Sequence, residues 1–355
     1  MGGKASSLRG GLALALLLEE LEVAGGALER RETTRASAAT LQAAAPVHGR
    51  DRGRCTDETS QEEGPGLPSP LAAVHSRILR SSRMLICALG DLTLDVVVRL
   101  SGPVAPDGDV DAEISIGPGG QAANVAAWAA ALGTEARFVG RTGSDDAGTL
   151  AREKLAALGV EIAGPVGDRN GTICSLVSPS GERSMASDRG AARELRPDDL
   201  DPAWLACDHF HVSGYALMVD PVRRAALRAV ELARRQGARI SVDLSSWSAI
   251  RDSGEDAFRE AVRAAAPDVV FANEDEERLV GRTALDATWI LKRGPRGCSF
   301  DGVERDALDV ERILDTTGAG DALAAGWIVG GPDLALEAAA RCVQRVGAMP
   351  IPSAA

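Results

Sequence analysis

A short acidic and glycine-rich segment carries the residue types that a phosphoryl transfer needs. It reads D-T-T-G-A-G-D at residues 315–321 and leads into a helix of small apolar residues. The first amides of a helix lack intrahelical partners and bind anions, so Gly318, Ala319 and Gly320 can form an anion hole for a phosphate. Asp321 can accept the proton of an attacking hydroxyl group. The structural alternative is that Asp321 only caps the helix.

A second glycine-rich segment reads G-P-G-G-Q-A-A-N at residues 117–124 and leads into an alanine-rich run that ends at Gly133. Its glycines partly match the G-x-G-x-x-G turn of dinucleotide-binding dehydrogenases. That turn directly follows the first strand of a βαβ unit, whereas this segment comes well after the first apolar run. A dehydrogenase is therefore the weaker alternative. The chain has no G-x-x-x-x-G-K-[ST] segment, which argues against a P-loop kinase.

The elements that must position these segments follow a regular order from residue 85 onward. Short apolar runs predict strands at residues 85–89, 137–139, 209–212, 240–243, 269–272 and 289–291. Amphipathic stretches between them predict helices at residues 147–158, 221–236 and 255–265. This alternation is typical of a parallel sheet with helices on both faces. Residues 96–116 and 172–186 break the order with alternating, half-polar strands.

The two glycine-rich segments, in this order, resemble the two signatures of the ribokinase-like (PfkB) family of carbohydrate and nucleoside kinases. Further agreement comes from G-D-L-T-L-D at residues 90–95, N-E-D-E at residues 273–276 and K-R-G-P-R-G at residues 292–297. The resemblance runs from residue 84 to the C-terminus. It implies an α/β fold, a three-layer αβα sandwich with a central, mostly parallel sheet. Residues 96–116 and 172–186 are then expected to form a small β-sheet lid over the sugar.

The resemblance also implies roles for single residues. Asp321 is the expected general base, and Gly318, Ala319 and Gly320 form the expected anion hole. The residues expected to bind the sugar are Asp95, Thr93, Gly120, Gln121 and Asn124. Many family members have a lysine or another residue where this chain has Gln121, which places ribose in doubt as the substrate. Asp95 has a structural alternative as a polar residue at the start of a lid strand.

ATP and metal ions are implied in the same way. The residues expected to bind the nucleotide are Asn273, Lys292 and Gly294, and Glu276 is expected to organise Mg²⁺ through water. A helix cap is the structural alternative for Asn273 and Glu276, and a plain surface position is the alternative for Lys292. Asp315, Thr317 and Gly347 are the nearest equivalents of a site for K⁺. The chain ends soon after Gly347, so K⁺ activation stays open.

These features favour an ATP-dependent kinase that phosphorylates a hydroxymethyl group of a sugar, a sugar acid or a nucleoside. Aromatic residues make up only 3% of the chain, which offers little stacking surface for a base and favours a sugar. A single ring such as Trp128, Trp247 or Tyr215 would nevertheless suffice for a nucleoside. A non-catalytic sugar-binding homologue is the third alternative. The intact Asp321 and its glycines argue against it.

Composition limits the partners and the setting. The 355 residues carry a net charge of −12 and no basic stripe interleaved with aromatic residues, which argues against nucleic acid and membrane surfaces as partners. The six cysteines are widely spaced without a C-x-x-C pair, so neither a zinc site nor a disulfide framework is expected. A reducing cytoplasm is the expected location, and a homodimer is a candidate assembly.

Residues 1–83 differ in composition from the remainder of the chain. Residues 51–70 are rich in Arg, Thr, Ser, Gly and Pro, a composition typical of disorder. We therefore expect an N-terminal extension at residues 1–83 that is largely disordered and has no catalytic role. Residues 84–355 are expected to form the kinase domain.

Overall fold

The computed structural model describes residues 84–180, 182–282 and 285–351, so the predictions for residues 1–83 lie outside the described part of the chain. The strands are β1 (Leu85–Leu89), β2 (Thr93–Leu100), β3 (Ala112–Gly119), β4 (Glu135–Val139), β5 (Thr142–Gly143), β6 (Val160–Ala163), β7 (Val166–Gly167), β8 (Gly171–Val177), β9 (Arg183–Asp188), β10 (His209–Ser213), β11 (Arg239–Asp243), β12 (Val269–Asn273), β13 (Thr288–Lys292), β14 (Cys298–Phe300) and β15 (Val303–Arg305). The α-helices are α1 (Gln121–Ala131), α2 (Asp146–Ala156), α3 (Val222–Arg235), α4 (Trp247–Ser253), α5 (Glu255–Ala265), α6 (Glu274–Val280), α7 (Ala319–Gly330) and α8 (Pro332–Val343).

The larger sheet has nine strands in the order β15-β14-β13-β12-β11-β10-β1-β4-β6. Every neighbouring pair from β13 to β6 is parallel. The pairs β13 with β14 and β14 with β15 are antiparallel. Each of the six predicted strands lies inside an observed strand. The predicted helix at residues 147–158 ends two residues early, at Ala156. The predicted fold class is confirmed.

Helices cover both faces of this sheet, and its central strands are mostly buried and apolar, as is typical of a parallel sheet. Successive side chains of a strand point to opposite faces, and β1 shows this alternation. Cys87 and Leu89 pack into one hydrophobic core with α3 and α5, whereas Ile86 and Ala88 pack into a second core with α1, α2, α7 and α8. The result is a three-layer arrangement of helix, sheet and helix.

Helices α1 and α7 pack together through small residues. The buried side of α1 consists mainly of alanine, and α7 buries Ala322, Ala324 and Ala325. Small side chains allow two helix backbones to approach closely, and this approach brings the first turn of α1 to the first turn of α7. Trp128 of α1 is fully buried and donates from Nε1 to the carbonyl of Ala348 at 2.8 Å, which fixes the chain after α8 against α1.

The second sheet has four strands in the order β3-β2-β8-β9 and contains both half-polar segments of the sequence, as predicted. Its pairs are antiparallel except for β2 with β8. The inner face carries Asp95, Ile173 and Arg183. Val96 and Ile116 are paired across the strands and point to the opposite, outer face. No helix in the described ranges is long and apolar enough to cross a bilayer.

Candidate active site

Polar residues end four neighbouring strands of the large sheet. Ser213, Asp243, Asn273 and Lys292 are the last residues of β10, β11, β12 and β13. Ligands of parallel α/β sheets bind outside the carboxyl ends of the strands, so this edge is where chemistry is expected. Asp243 and Ser213 had no place among the predicted site residues. A polar residue at the end of an apolar strand was the sequence signal that could have identified them.

A cavity of about 750 Å³ lies between this edge and the second sheet. The predicted residues that line it are Asp95, Gly120, Gln121, Asn124, Thr317, Gly318 and Asp321. Thr93 is fully buried and does not line the cavity. Its hydroxyl group donates to Asp95 Oδ1 at 2.7 Å, so Thr93 orients the Asp95 carboxylate.

A second cavity of about 330 Å³ lies on the other side of residues 316–321. Lys292, Gly294, Ala319 and Gly320 line it, together with apolar side chains of α8. Asn273 lines neither cavity. The glycine-rich turn at the start of α7 therefore has the first cavity on one side and the second on the other.

Backbone geometry at this turn requires glycine. Gly318 has φ +76°, and a Cβ atom there would lie 2.5 Å from Cβ of Ala348. A Cβ atom at Gly320 would lie 3.3 Å from Cδ of Lys292. The amide of Ala319 bonds the carbonyl of Thr316 at 3.3 Å, whereas the amides of Gly320 and Asp321 have no hydrogen-bond partner in the described residues. These two amides are free to bind an anion.

Asp321 is held by a residue from the other glycine-rich segment. Asn124 Nδ2 donates to Asp321 Oδ2 at 2.7 Å, and the Asn124 Oδ1 atom is buried without a partner among the described residues. Burial raises the pKa of Asp321 to about 7, with the negative charge of Asp243 adding to the effect. A carboxylate with a pKa near neutrality suits a general base.

Asp95 is a second carboxylate with a raised pKa. Burial raises its pKa to about 6, and the hydrogen bond from Thr93 opposes this shift. Close packing fixes its position, because a Cβ atom at Gly119 would lie 2.1 Å from the Asp95 carboxylate. Asp95 and the unpaired Asn124 Oδ1 atom can both accept hydrogen bonds from hydroxyl groups of a ligand.

Two serine hydroxyl groups fix the orientation of Gln121. Ser213 Oγ and Ser245 Oγ donate to Gln121 Oε1 at 2.6 Å and 2.5 Å. The Gln121 amide nitrogen is therefore left as a hydrogen-bond donor at the cavity. Ser245 has φ +76°, a strained value for a residue other than glycine, and its amide donates to Asp243 Oδ1 at 3.0 Å. Sequence reasoning missed Ser245, which no motif marks.

Lys292 forms an ion pair beneath the glycine-rich turn. Its ammonium group donates to both oxygens of the fully buried Asp243, at 2.9 Å and 2.7 Å. Burial lowers the pKa of Lys292, but the charges of Asp243 and Glu276 outweigh this effect and leave the pKa raised. The positive charge therefore persists at neutral pH beside Gly320 of the glycine-rich turn.

Asn273 and Glu276 form a reciprocal helix cap at the start of α6. Asn273 Oδ1 accepts from the amide of Glu276 at 2.9 Å, and Glu276 accepts from the amide and the side chain of Asn273 at 2.8 Å. Burial raises the pKa of Glu276, and Lys292 opposes that shift. The helix cap that the sequence offered as the structural alternative for these two residues is therefore present. It holds the Glu276 carboxylate beside Lys292.

The three residues of the expected K⁺ site lie close together in the structure: Asp315, Thr317 and Gly347. Asp315 accepts from the amide of Thr317 at 2.8 Å and from the amide of Gly347 at 3.0 Å. Burial raises the pKa of Asp315, but the hydrogen bond from the Thr317 hydroxyl group and the two from the backbone amides outweigh it and leave the pKa lowered. Arg183 of β9 donates to Thr317 Oγ1, and its guanidinium lies 3.7 Å from Asp315. A cationic side chain therefore already neighbours the expected K⁺ site.

Two further arginines, Arg189 and Arg193, reach the larger cavity. Arg189 forms an ion pair with Asp91, and its guanidinium carbon lies 3.6 Å from the centre of the Tyr215 ring. Neither arginine, nor Arg183, was among the predicted site residues, because no motif marks the half-polar strand β9 or the turn after it.

The three aromatic residues considered for stacking a base are unsuited to that role. Trp128 is fully buried, and the guanidinium of Arg189 covers the Tyr215 ring. Trp247 does not line the cavity.

Comparison with known proteins agrees with this geometry. The model of the pfkB family carbohydrate kinases matches residues 83–353. The ATP-dependent ribose-1-phosphate kinase of Halopiger xanaduensis is 31% identical over 297 residues, which cover 76% of this chain and 95% of the relative. An Escherichia coli fructokinase is 29% identical over 286 residues, which cover 74% of this chain and 89% of the relative.

A solved structure shares the fold. A presumed ribokinase II from Escherichia coli, in complex with ATP and Mg²⁺, aligns with a TM-score of 0.65 at 23% identity, covering 76% of this chain and 96% of the other. The family model spans both glycine-rich segments and every candidate residue described above. The chain therefore belongs to the pfkB family of carbohydrate kinases.

Proposed function

We propose that the protein transfers the γ-phosphoryl group of ATP to a hydroxymethyl group of a sugar, with Asp321 as the general base. The hydroxymethyl oxygen bonds to the γ-phosphorus, and the bond from that phosphorus to the β–γ bridging oxygen breaks. The proton passes to the Asp321 carboxylate and ADP leaves. The amides of Gly320 and Asp321 stabilise the charge on the transferred group.

The position of the glycine-rich turn carries this proposal. Gly318 and Asp321 line the larger cavity, which offers acceptors for hydroxyl groups, while Ala319 and Gly320 line the smaller, largely apolar one. A sugar in the first cavity and a nucleotide in the second would meet at this turn. Proximity of the two reacting groups supplies much of the rate in such a transfer.

Glu276 fits a magnesium ion that is held through water. Each Glu276 oxygen accepts one hydrogen bond from Asn273 and keeps lone pairs for water. In the part of the chain that the structure describes, no three His, Cys, Asp or Glu side chains are grouped to hold an ion. When bound with ATP, the ion would neutralise charge on the phosphates.

Arg183 bears on the proposed K⁺ site at Asp315, Thr317 and Gly347. Its guanidinium lies within 3.7 Å of Asp315, where a bound cation would be repelled. We propose that Arg183 supplies the positive charge at this place and that K⁺ adds little to turnover. The alternative is a K⁺ ion that enters once Arg183 moves away with the second sheet.

A nucleoside kinase and a non-catalytic sugar-binding protein are the alternatives. The covered Tyr215 ring argues against a nucleoside, and the intact Asp321 beside the glycines of the turn argues against a protein without turnover. As the setting we propose a reducing cytoplasm, in keeping with the free thiols of Cys87, Cys174 and Cys298.

The test is release of ADP from ATP with a panel of sugars and nucleosides. We expect turnover with at least one sugar and a loss of roughly 10²–10⁴-fold in kcat for Asp321→Ala. Sugar binding, followed by calorimetry, should persist in the variant, since Asp95, Gln121 and Asn124 remain. Equal kcat values for the variant and the wild type would exclude Asp321 as the base.

A further inference from the structure

Three arginines line the sugar cavity, although neutral sugars need only hydrogen-bonding partners. Arg183, Arg189 and Arg193 come from β9 and the turn that follows it. They belong to the side of the cavity that the second sheet and the segment after β9 provide, and Arg183 among them reaches the glycine-rich turn. Their charges are not equivalent, because two of the three are already neutralised within the protein.

Arg189 and Arg183 have partners. Arg189 is mostly buried and forms an ion pair with Asp91 Oδ2. The other carboxylate oxygen, Asp91 Oδ1, has no hydrogen-bond partner in the described chain. The face of Tyr215 holds the Arg189 guanidinium in place. Arg183 contacts Thr317 and Asp315 at the glycine-rich turn. Neither cation is free to meet a ligand charge by itself.

Arg193 has no such partner. It is exposed on a short 3₁₀ helix, Gly190–Glu194, and forms no salt bridge within the described residues. The nearby carboxylate of Asp188 is already paired with Arg169. The backbone beneath it is fixed, because Ala191 and Ala192 are buried and the Ala191 amide donates to the carbonyl of Arg169 at 2.8 Å. Its side chain also lines a small recess next to Arg189 and Tyr215.

The acids of the cavity do not offset Arg193. Asp91 is paired with Arg189, and Asp252 is paired with Arg251 at 2.9 Å. Asp95 and Asp321 have raised pKa values and are assigned to hydroxyl groups of the sugar. The Gln121 amide nitrogen adds a further donor to this cavity. An unpaired guanidinium and an oriented amide together favour a ligand that carries a negative charge.

We propose that the sugar carries an anionic group, a phosphate monoester or a carboxylate, and that Arg193 binds it beside Arg189. This inference rests on the proposed kinase function of the same cavity. A guanidinium donates two parallel hydrogen bonds to either group, and its fork geometry matches both. The hydroxymethyl group to be phosphorylated would then lie at Asp321, with the anionic group at Arg193.

The experiment uses the full chain with matched sugars that all keep a free terminal hydroxymethyl group. Ribose is compared with ribose 1-phosphate and with ribonate, and fructose with fructose 1-phosphate. The two sugar phosphates and the sugar acid ribonate test the phosphate group and the carboxylate group separately. Binding is measured by calorimetry without nucleotide, and turnover is measured as ADP release with ATP. We expect at least one anionic sugar to bind roughly tenfold to hundredfold more tightly than its neutral partner.

Variants assign that preference to one side chain. Arg193→Gln should remove the tenfold to hundredfold preference, while Arg193→Lys should restore part of it. Arg196→Gln is the matched control, because Arg196 is also exposed, lies three residues further along and does not line the cavity. The preference should persist in this control and should weaken as salt is raised.

The outcomes separate the inference from the proposed function. Equal binding of neutral and anionic sugars, or a preference unchanged by Arg193→Gln, overturns the anionic site even if ADP is released. Absence of binding by every anionic sugar overturns it as well. Arg193-dependent binding of an anionic sugar supports the site, and if no sugar then releases ADP, the kinase function alone is contradicted.

Discussion

The pKa of Asp321 is set by its surroundings. Burial raises the pKa of this carboxylate to about 7, Asp243 raises it further, and the hydrogen bond from Asn124 and the charge of Lys292 oppose the shift. A sugar hydroxyl is a weak acid whose proton leaves late in the transfer, so the position of the base matters as much as its strength. Asn124 provides that position, since it holds the carboxylate at 2.7 Å.

This pKa predicts a pH dependence. The base must be deprotonated, so kcat/KM should rise with pH and level off above an apparent pKa near 7. Below pH 7 it should fall about tenfold per pH unit. The measurement is kcat/KM for the sugar between about pH 5 and pH 9. In Asp321→Asn the remaining kcat/KM should no longer fall below pH 7. A fall with the same apparent pKa in that variant would contradict the prediction.

Lys292 is expected to stabilise the fold as well as the phosphate site. Lys292→Met would leave the fully buried Asp243 without its cation, at a cost of about 3–5 kcal/mol in the free energy of unfolding. The double variant Asp243→Asn with Lys292→Met should recover more than half of this loss. Urea denaturation of the single and double variants measures the coupling. Strictly additive losses would show that the ion pair contributes nothing.

At the scale of elements, the site is assembled where strand ends, helix starts and one strand of the second sheet meet. Ser213, Asp243 and Lys292 end strands of the large sheet, whereas Asn124 and Asp321 lie in the first turns of α1 and α7. Strand β9 adds Arg183, which reaches from the second sheet to Thr317. The contact between Arg183 and Thr317 therefore links the second sheet to the anion hole.

The Arg183 contact predicts how turnover responds to K⁺. Replacing K⁺ by choline should change the wild-type kcat by less than about twofold, because Arg183 already provides the charge beside Asp315. In Arg183→Ala, kcat should fall roughly tenfold and recover partly when K⁺ is added. Arg99→Ala is the control, since Arg99 lines a neighbouring cavity on the same face of the sheet. Strong K⁺ activation of the wild type would contradict this assignment.

At the scale of the whole molecule, the outer face of the second sheet is the notable surface. Ile114, Ile116 and Leu176 point outward and are 59%, 47% and 40% exposed. Val96 and Val98 lie between them on the same face. Apolar side chains that adjoin one another on a sheet face are typical of an interface.

We therefore predict that the protein forms a homodimer through this face. Light scattering should give about twice the chain mass of 36.8 kDa for the wild type. Ile114→Lys combined with Ile116→Lys should give a monomer, because two charges would lose their hydration in the interface. Val303→Lys is the control, as Val303 is 61% exposed on β15 of the other sheet. A monomeric wild type would contradict the interface and would leave this face for another partner.

The sequence by itself determined the features that depend on neighbouring residues. The alternation of apolar runs and amphipathic stretches specified the strands and the three-layer fold, since a strand buried on both faces must be apolar throughout. The turn at Gly318 requires a residue that tolerates φ +76°, and glycine supplies it locally. Asp321 could be identified for the same reason, because it lies directly beside a glycine-rich turn, whereas Asn124 was expected only from the resemblance to the pfkB family.

Only the tertiary structure decided which distant residues complete the site. Asn124 and Asp321 are 197 residues apart in the chain, and their contact exists because α1 packs on α7. Lys292 at the end of β13 reaches across β12 to Asp243 at the end of β11, and Arg193 reaches the larger cavity from the segment that follows β9. Strand order and sheet packing arise from the whole core at once, so no local pattern encodes these contacts.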